Sequence, residues 1–148
     1  MTQKYESTKT QSTGMRTRAS MEFWVLVTMY LNGGYTTVED IANMFGFRKG
    51  SIRTTLNSLM KRQIVKSLKL TDVIAMNKLG LLNININIDT KSPKNIAKHV
   101  YVFADKFENI LDNNPHILRY ASIVFNVFTN EGFIEYLNKL KQTIRKEV

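Results

Sequence analysis

Apolar residues recur at helical spacing through most of this chain, and polar breaks between them divide it into segments. Phe23, Trp24, Val27 and Leu31 repeat on one face, widened by Leu26 and Tyr30, with Ser20 as N-cap and Asn32-Gly33-Gly34 as the stop. This first helix is expected to pack behind the next two, with Trp24 in the core. Thr36 and Glu39 have the spacing of a capping box, so a second helix starts at about Thr37 and carries Ile41, Ala42 and Phe45 inward. Gly46 stands where a tight turn needs positive φ. Ile52, Leu56 and Leu59 then lie on one face of a third helix, from about Lys49 to Lys61. Ile64 and Val65 turn apolar again and open a strand that runs to Leu70.

Leu82, Ile84, Ile86 and Ile88 alternate with Asn83, Asn85 and Asn87, the pattern of a half-buried strand. Residues 71–81 between the two strands fit either a long hairpin tip or a short helical turn. Ser92-Pro93 predicts the start of another helix, with Ile96, Val100, Phe103, Phe107 and Ile110 as its stripe and Asn113-Asn114-Pro115 as its end. From Ile117 to Phe128 the chain is apolar on nearly every side, as in a helix buried all round. After Asn130-Glu131-Gly132, a last helix turns Phe133, Ile134, Leu137, Leu140 and Ile144 inward and Lys139, Lys141, Arg145 and Lys146 outward.

Three helices after a small sheet are too few to bury residues 117–128 on all sides. Each large apolar side chain left in water costs ~1.5–3 kcal/mol, and a second copy would supply the missing cover. The expectation is an isologous homodimer through residues 93–147, with Phe103, Phe107, Tyr120, Ile123, Val124, Val127, Phe128 and Leu137 at the interface. A monomer folding these helices onto its own sheet is the alternative.

The polar face of the third helix carries Lys49, Ser51, Arg53, Thr54, Asn57, Lys61 and Arg62. It is cationic and rich in hydrogen-bond donors, as a helix entering the DNA major groove requires. The stretch from Thr36 to Val65 therefore reads as a helix-turn-helix leading into a wing. Ala42, Gly46, Ile52, Leu56, Leu59, Ile64 and Val65 together resemble the winged helix-turn-helix superfamily, in particular regulators of the MarR and PadR type. One residue departs from that pattern: Gln63 stands where the family usually has Gly. The resemblance covers roughly residues 20–88. It implies a mainly α fold with a small β-wing (α+β), followed by C-terminal dimerisation helices. It leaves room for a small-molecule effector near those helices, of unknown identity, for which Tyr101, Phe103, Phe107, Tyr120, Phe125 and Phe128 are candidate lining residues, with plain core as their simpler use.

Charge sharpens this picture. The chain of 148 residues has 21 basic and 12 acidic side chains, a net charge of +9 that points to a polyanionic partner. Residues 1–65 carry 9 basic against 4 acidic side chains, so the excess gathers around the helix-turn-helix. Residues 1–19 are rich in Ser, Thr, Gln and Lys and read as a flexible arm, in which Arg16 and Arg18 either reach a minor groove or are simply solvated. Arg53 is the first choice for a base contact, through a bidentate pair with guanine, and Asn57 the second, with adenine. Ser51 and Thr54 suit phosphate or a thymine methyl. Arg48, Lys49, Lys61 and the wing lysines Lys69 and Lys78 suit phosphates.

Other chemistry finds no support in the sequence. There is no Cys, no Gly-rich phosphate loop, and no carboxylate at ligand spacing from His99 or His116. Asp105, Glu108 and Asp112 form an acidic face suited to solvent. No cofactor, metal or catalytic role is expected. The first residues have no apolar signal core, and no apolar stretch reaches the ~18 residues of a membrane span, so a cytoplasmic, nucleoid-associated protein is expected. The domain plan is a basic arm (1–19), a winged helix-turn-helix (20–90) and a helical dimerisation region (91–148). The expected function is sequence-specific binding of double-stranded DNA as a transcriptional regulator. The alternatives are a segregation or architectural protein coating repeat arrays on a plasmid or viral genome, and a winged-helix module that binds protein.

Overall fold

A computed structural model describes residues 20–84 and 99–147, with the backbone alone for 145–147. These residues form seven helices and one small three-stranded antiparallel sheet. The arm with Arg16 and Arg18, and the strand expected through residue 88 beyond Ile84, lie outside them. The same holds for the start of the helix expected at Pro93.

Helix α1 spans residues 20–31 and is the hub of the fold. Phe23, Val25, Leu26, Val27 and Met29 are all at most 3% exposed, so α1 is covered on nearly every side. Strand β1 (Tyr35–Thr36) follows, then α2 (Val38–Phe45). The cap of α2 sits one residue later than expected: the Thr37 hydroxyl accepts from the Asp40 N–H at 3.1 Å, while Thr36 is buried in β1. Gly46 ends α2 at φ 72°, and its N–H donates to the Ala42 carbonyl at 2.8 Å.

Helix α3 (Lys49–Lys61) keeps the expected bounds. Ile52, Leu56 and Leu59 are wholly buried, so the stripe at spacings of four and three faces the core. The helix ends in a left-handed turn at Gln63 (φ 60°), and β2 (Val65–Lys69) leaves it directly.

The sheet has the order β1-β3-β2, with β3 (His99–Phe103) in the middle. Val65 pairs with Phe103 and Lys69 with His99 on one side, and Tyr35 pairs with Val102 on the other. This corrects the helix expected to run through residues 99–103 and moves His99 from a helix stripe to a strand. The segment His-Val-Tyr-Val-Phe suits the pleated conformation, and its two faces bury different clusters. Val100 and Val102 meet Leu70, Val73 and Ile84, while Tyr101 joins the main core. The sheet therefore extends past the boundary expected at residue 90.

Residues 70–81 form α4 (Leu70–Lys78) and a turn. Val73 is wholly buried, and Leu70 starts α4 at the position expected to end the strand. The Asn77 amide holds the returning chain in place of a strand partner: it donates to the Ile84 carbonyl at 2.7 Å and accepts from the Ile84 N–H at 3.1 Å.

Helices α5 (Phe107–Asn113), α6 (Pro115–Phe125) and α7 (Asn130–Glu147) complete the description. They pack on α1 through aromatic rings. Phe23 stacks on Phe133 with centroids 5.9 Å apart, and Tyr30 meets Phe107 at 4.8 Å. Trp24 lies between Phe45 and Phe125. Among the described residues, no helix is long and apolar enough to cross a membrane.

Candidate nucleic-acid interface

The polar face of α3 is built by the same periodicity that buries its other face. Lys49, Arg53, Asn57 and Lys61 are four residues apart and all exposed, so they form one solvent-facing row about 18 Å long. Ser51 and Thr54 are exposed beside the row. The Thr54 hydroxyl donates back to the Gly50 carbonyl at 3.0 Å. Helix α3 has no acidic residue, and like charges such as Lys49 and Arg53 at this spacing repel slightly. A helix selected for stability alone would mix signs here.

Gly50 lies in the first turn of α3, exposed, and a Cβ built on it meets nothing within 4 Å. Neither packing nor backbone conformation calls for glycine there.

Arg48 precedes α3, and Lys69 and Lys78 end β2 and α4; all three are exposed. Lys66 on β2 is a further exposed cation. Arg53 is also linked electrically to the sheet. Burial raises the Tyr101 hydroxyl above the usual phenol range, with Arg53 opposing the rise and Glu39 adding to it.

Arg62 differs from the other candidates. It caps the C-terminus of α3 and is tied by an ion pair to Glu22 on α1. Its Nη1 lies 3.5 Å from Nε2 of His116 on α6. Partial burial lowers the His116 titration below the usual imidazole range, helped by Arg62 and Arg119 and opposed by Glu22. No local sequence pattern marks this cluster, whose members lie 40 and 54 residues from Arg62.

The residues expected at a dimer interface divide into two groups. Phe107 and Leu137 are buried in the chain's own core, against which Phe103, Tyr120 and Val127 pack. Ile123, Val124 and Phe128 are exposed by 76%, 38% and 69%. Within one chain α6 is thus not covered all round, and only Ile117 and Ala121 of it are buried. Among the described residues, no three His, Cys, Asp or Glu side chains gather as a metal site would require.

No protein-family model matches this chain, and no curated protein or solved structure does either. The functional reading therefore stands on the geometry.

Proposed function

We propose that this chain is a winged helix-turn-helix protein that binds double-stranded DNA sequence-specifically, with α3 in the major groove. The observation that carries the reading is the row Lys49, Arg53, Asn57 and Lys61, exposed on a helix whose opposite face is wholly buried. The topology supports it. A helix, a short strand, two helices joined by a left-handed Gly46, and two further strands in the order β1-β3-β2 are what such a domain needs. In this reading α4 takes the place of the usual open hairpin tip, and Lys69 and Lys78 flank it. Arg53 and Asn57 read bases, and Arg48, Lys49, Lys61 and the strand lysines neutralise phosphates.

The protein acts as a homodimer through Ile123, Val124 and Phe128, whose exposure leaves an apolar face on α6 and the segment after it. Two copies related by a two-fold axis read a palindrome. Transcriptional regulation is the use this arrangement serves most directly.

The test is binding of the purified protein to a duplex of about 25 base pairs as salt is raised, measured by fluorescence anisotropy. Several phosphate contacts make affinity fall steeply, with a slope of roughly −0.9 per phosphate neutralised. Absent or salt-independent binding sinks the reading and favours a protein-interaction module.

A further inference from the structure

One guanidinium joins three elements that are distant in sequence. Arg62 closes α3, pairs with Glu22 of α1, and faces Nε2 of His116 in the first turn of α6. The Glu22 side chain is only 18% exposed and that of Arg62 37%, so the pair is partly withdrawn from water. Packing at this corner is incomplete. A cavity of about 190 Å³, lined in part by Phe23, Ile117, Tyr120 and Ile123, lies between α1 and α6 beside the pair. Glu22 and His116, which both meet Arg62, stand at the rim of that space.

A cation is favoured at this position for a second reason. The carbonyls at the C-terminus of a helix carry partial negative charge, and Arg62 follows the last turn of α3. The guanidinium therefore has two local attractors, Glu22 and the helix end, with Nε2 of His116 3.5 Å from its Nη1. Arg62 stands off the row formed by Lys49, Arg53, Asn57 and Lys61, being one residue past its end.

Resting on the DNA-binding reading above, we infer that Arg62 is a positioning residue: with Glu22 and His116 it fixes the exit of α3 against α1 and α6, and it does not neutralise a phosphate. The consequence is a specific pattern of affinities. Were Arg62 a phosphate contact, Glu22 would compete with DNA for it, and removing the Glu22 charge would strengthen binding. As a positioning pair, either half is needed to hold α3, and removing either weakens binding.

The experiment measures affinity of the full chain for a duplex of about 25 base pairs, with a mixed sequence, between roughly 50 and 200 mM salt. The variants are Glu22→Gln, Arg62→Gln, the exchange Glu22→Arg with Arg62→Glu, and Lys49→Gln as reference. The expected result is that Lys49→Gln reduces the salt slope by about one. Glu22→Gln and Arg62→Gln each lower affinity several-fold at an unchanged slope, and the exchange restores only part of the loss, because it puts a carboxylate at the negative end of α3. Tighter binding by Glu22→Gln, or a slope reduced by about one in Arg62→Gln, overturns the inference while leaving DNA binding intact. Failure of the wild-type chain to bind in a salt-dependent way removes the DNA reading and this inference with it. Arg62→Lys, which keeps the charge for the pair, guards against simple misfolding and is expected to retain most of the affinity.

Discussion

The Ile64 N–H donates to the carbonyl of Leu59 at 2.9 Å, closing α3 across the left-handed Gln63. With the Gln63 N–H on the Met60 carbonyl at 3.0 Å, this is a Schellman motif, and Leu59 and Ile64 are both buried beside it. The motif sets the angle at which β2 leaves α3. Its cost falls on Gln63, whose Cβ is crowded at positive φ by ~1–2 kcal/mol. Gln63→Gly relieves that strain but gives the unfolded chain more freedom, so the net gain is about 0.5–1 kcal/mol. Urea denaturation measures it, and an unchanged or lower midpoint contradicts it.

Gly50 offers the reverse experiment. Its exposed position in the first turn of α3 has room for a methyl group, so Gly50→Ala raises stability by roughly 0.5–1 kcal/mol. The same methyl holds the first turn of α3 away from DNA, so affinity falls although the protein is more stable. Denaturation and anisotropy on one preparation separate the two effects. Unchanged affinity would show that the first turn does not approach DNA closely.

Arg53 and Lys49 are neighbours in the row, and the proposed DNA binding gives them different tasks. Arg53→Ala is expected to cost ~1–3 kcal/mol on the preferred sequence and to relax preference at one base pair. Lys49→Ala weakens binding to all sequences alike. Selection from a randomised duplex pool with each variant shows the difference, and uniform weakening by Arg53→Ala would demote it to a phosphate contact.

Acid should loosen the corner around His116. Its folded-state titration lies below the usual 6.5, so the folded chain keeps this imidazole neutral while the unfolded chain takes up a proton. The unfolded state binds more protons between the lowered value and 6.5. The stability linked to His116 is therefore complete above 6.5 and declines as pH falls below it. His116→Gln removes that part of the decline. Denaturation midpoints across this range check it, and identical profiles for variant and wild type would contradict it.

The exposed apolar face can be tested separately from the DNA row. Phe128→Asp, at a side chain 69% exposed, is expected to leave the core intact and to turn the proposed dimer into a monomer in sedimentation. A wild-type chain that is monomeric at high concentration overturns the dimer.

Parts of this arrangement are legible in the sequence because they are local. Gly46 announces its left-handed turn, and the spacing of Ile52, Leu56 and Leu59 assigns the buried face of α3, which leaves its cations outside. Other parts depend on partners the sequence does not indicate. Val100, Phe103, Phe107 and Ile110 fit a helical stripe, yet Val100 and Phe103 belong to a strand because β1 and β2 offer pairing on both sides. Strand β1 has two residues, too few to produce a period. The helix covered on nearly every side is α1 rather than the strongly apolar α6, since α1 is the one that the later helices pack around. Among the candidate site residues, Arg62 resembles its neighbours in charge, and Glu22, 40 residues upstream, gives it a different setting.

The most direct test of sequence reading by α3 is recovery and footprinting, at physiological salt, of fragments of the source genome bound by the purified protein, beside an Arg53→Ala, Asn57→Ala double variant. Discrete enriched sites are predicted, each with two half-sites about one helical turn apart, that the double variant no longer selects. No enrichment over random DNA, or the same sites recovered by the double variant, would contradict the claim that α3 reads sequence.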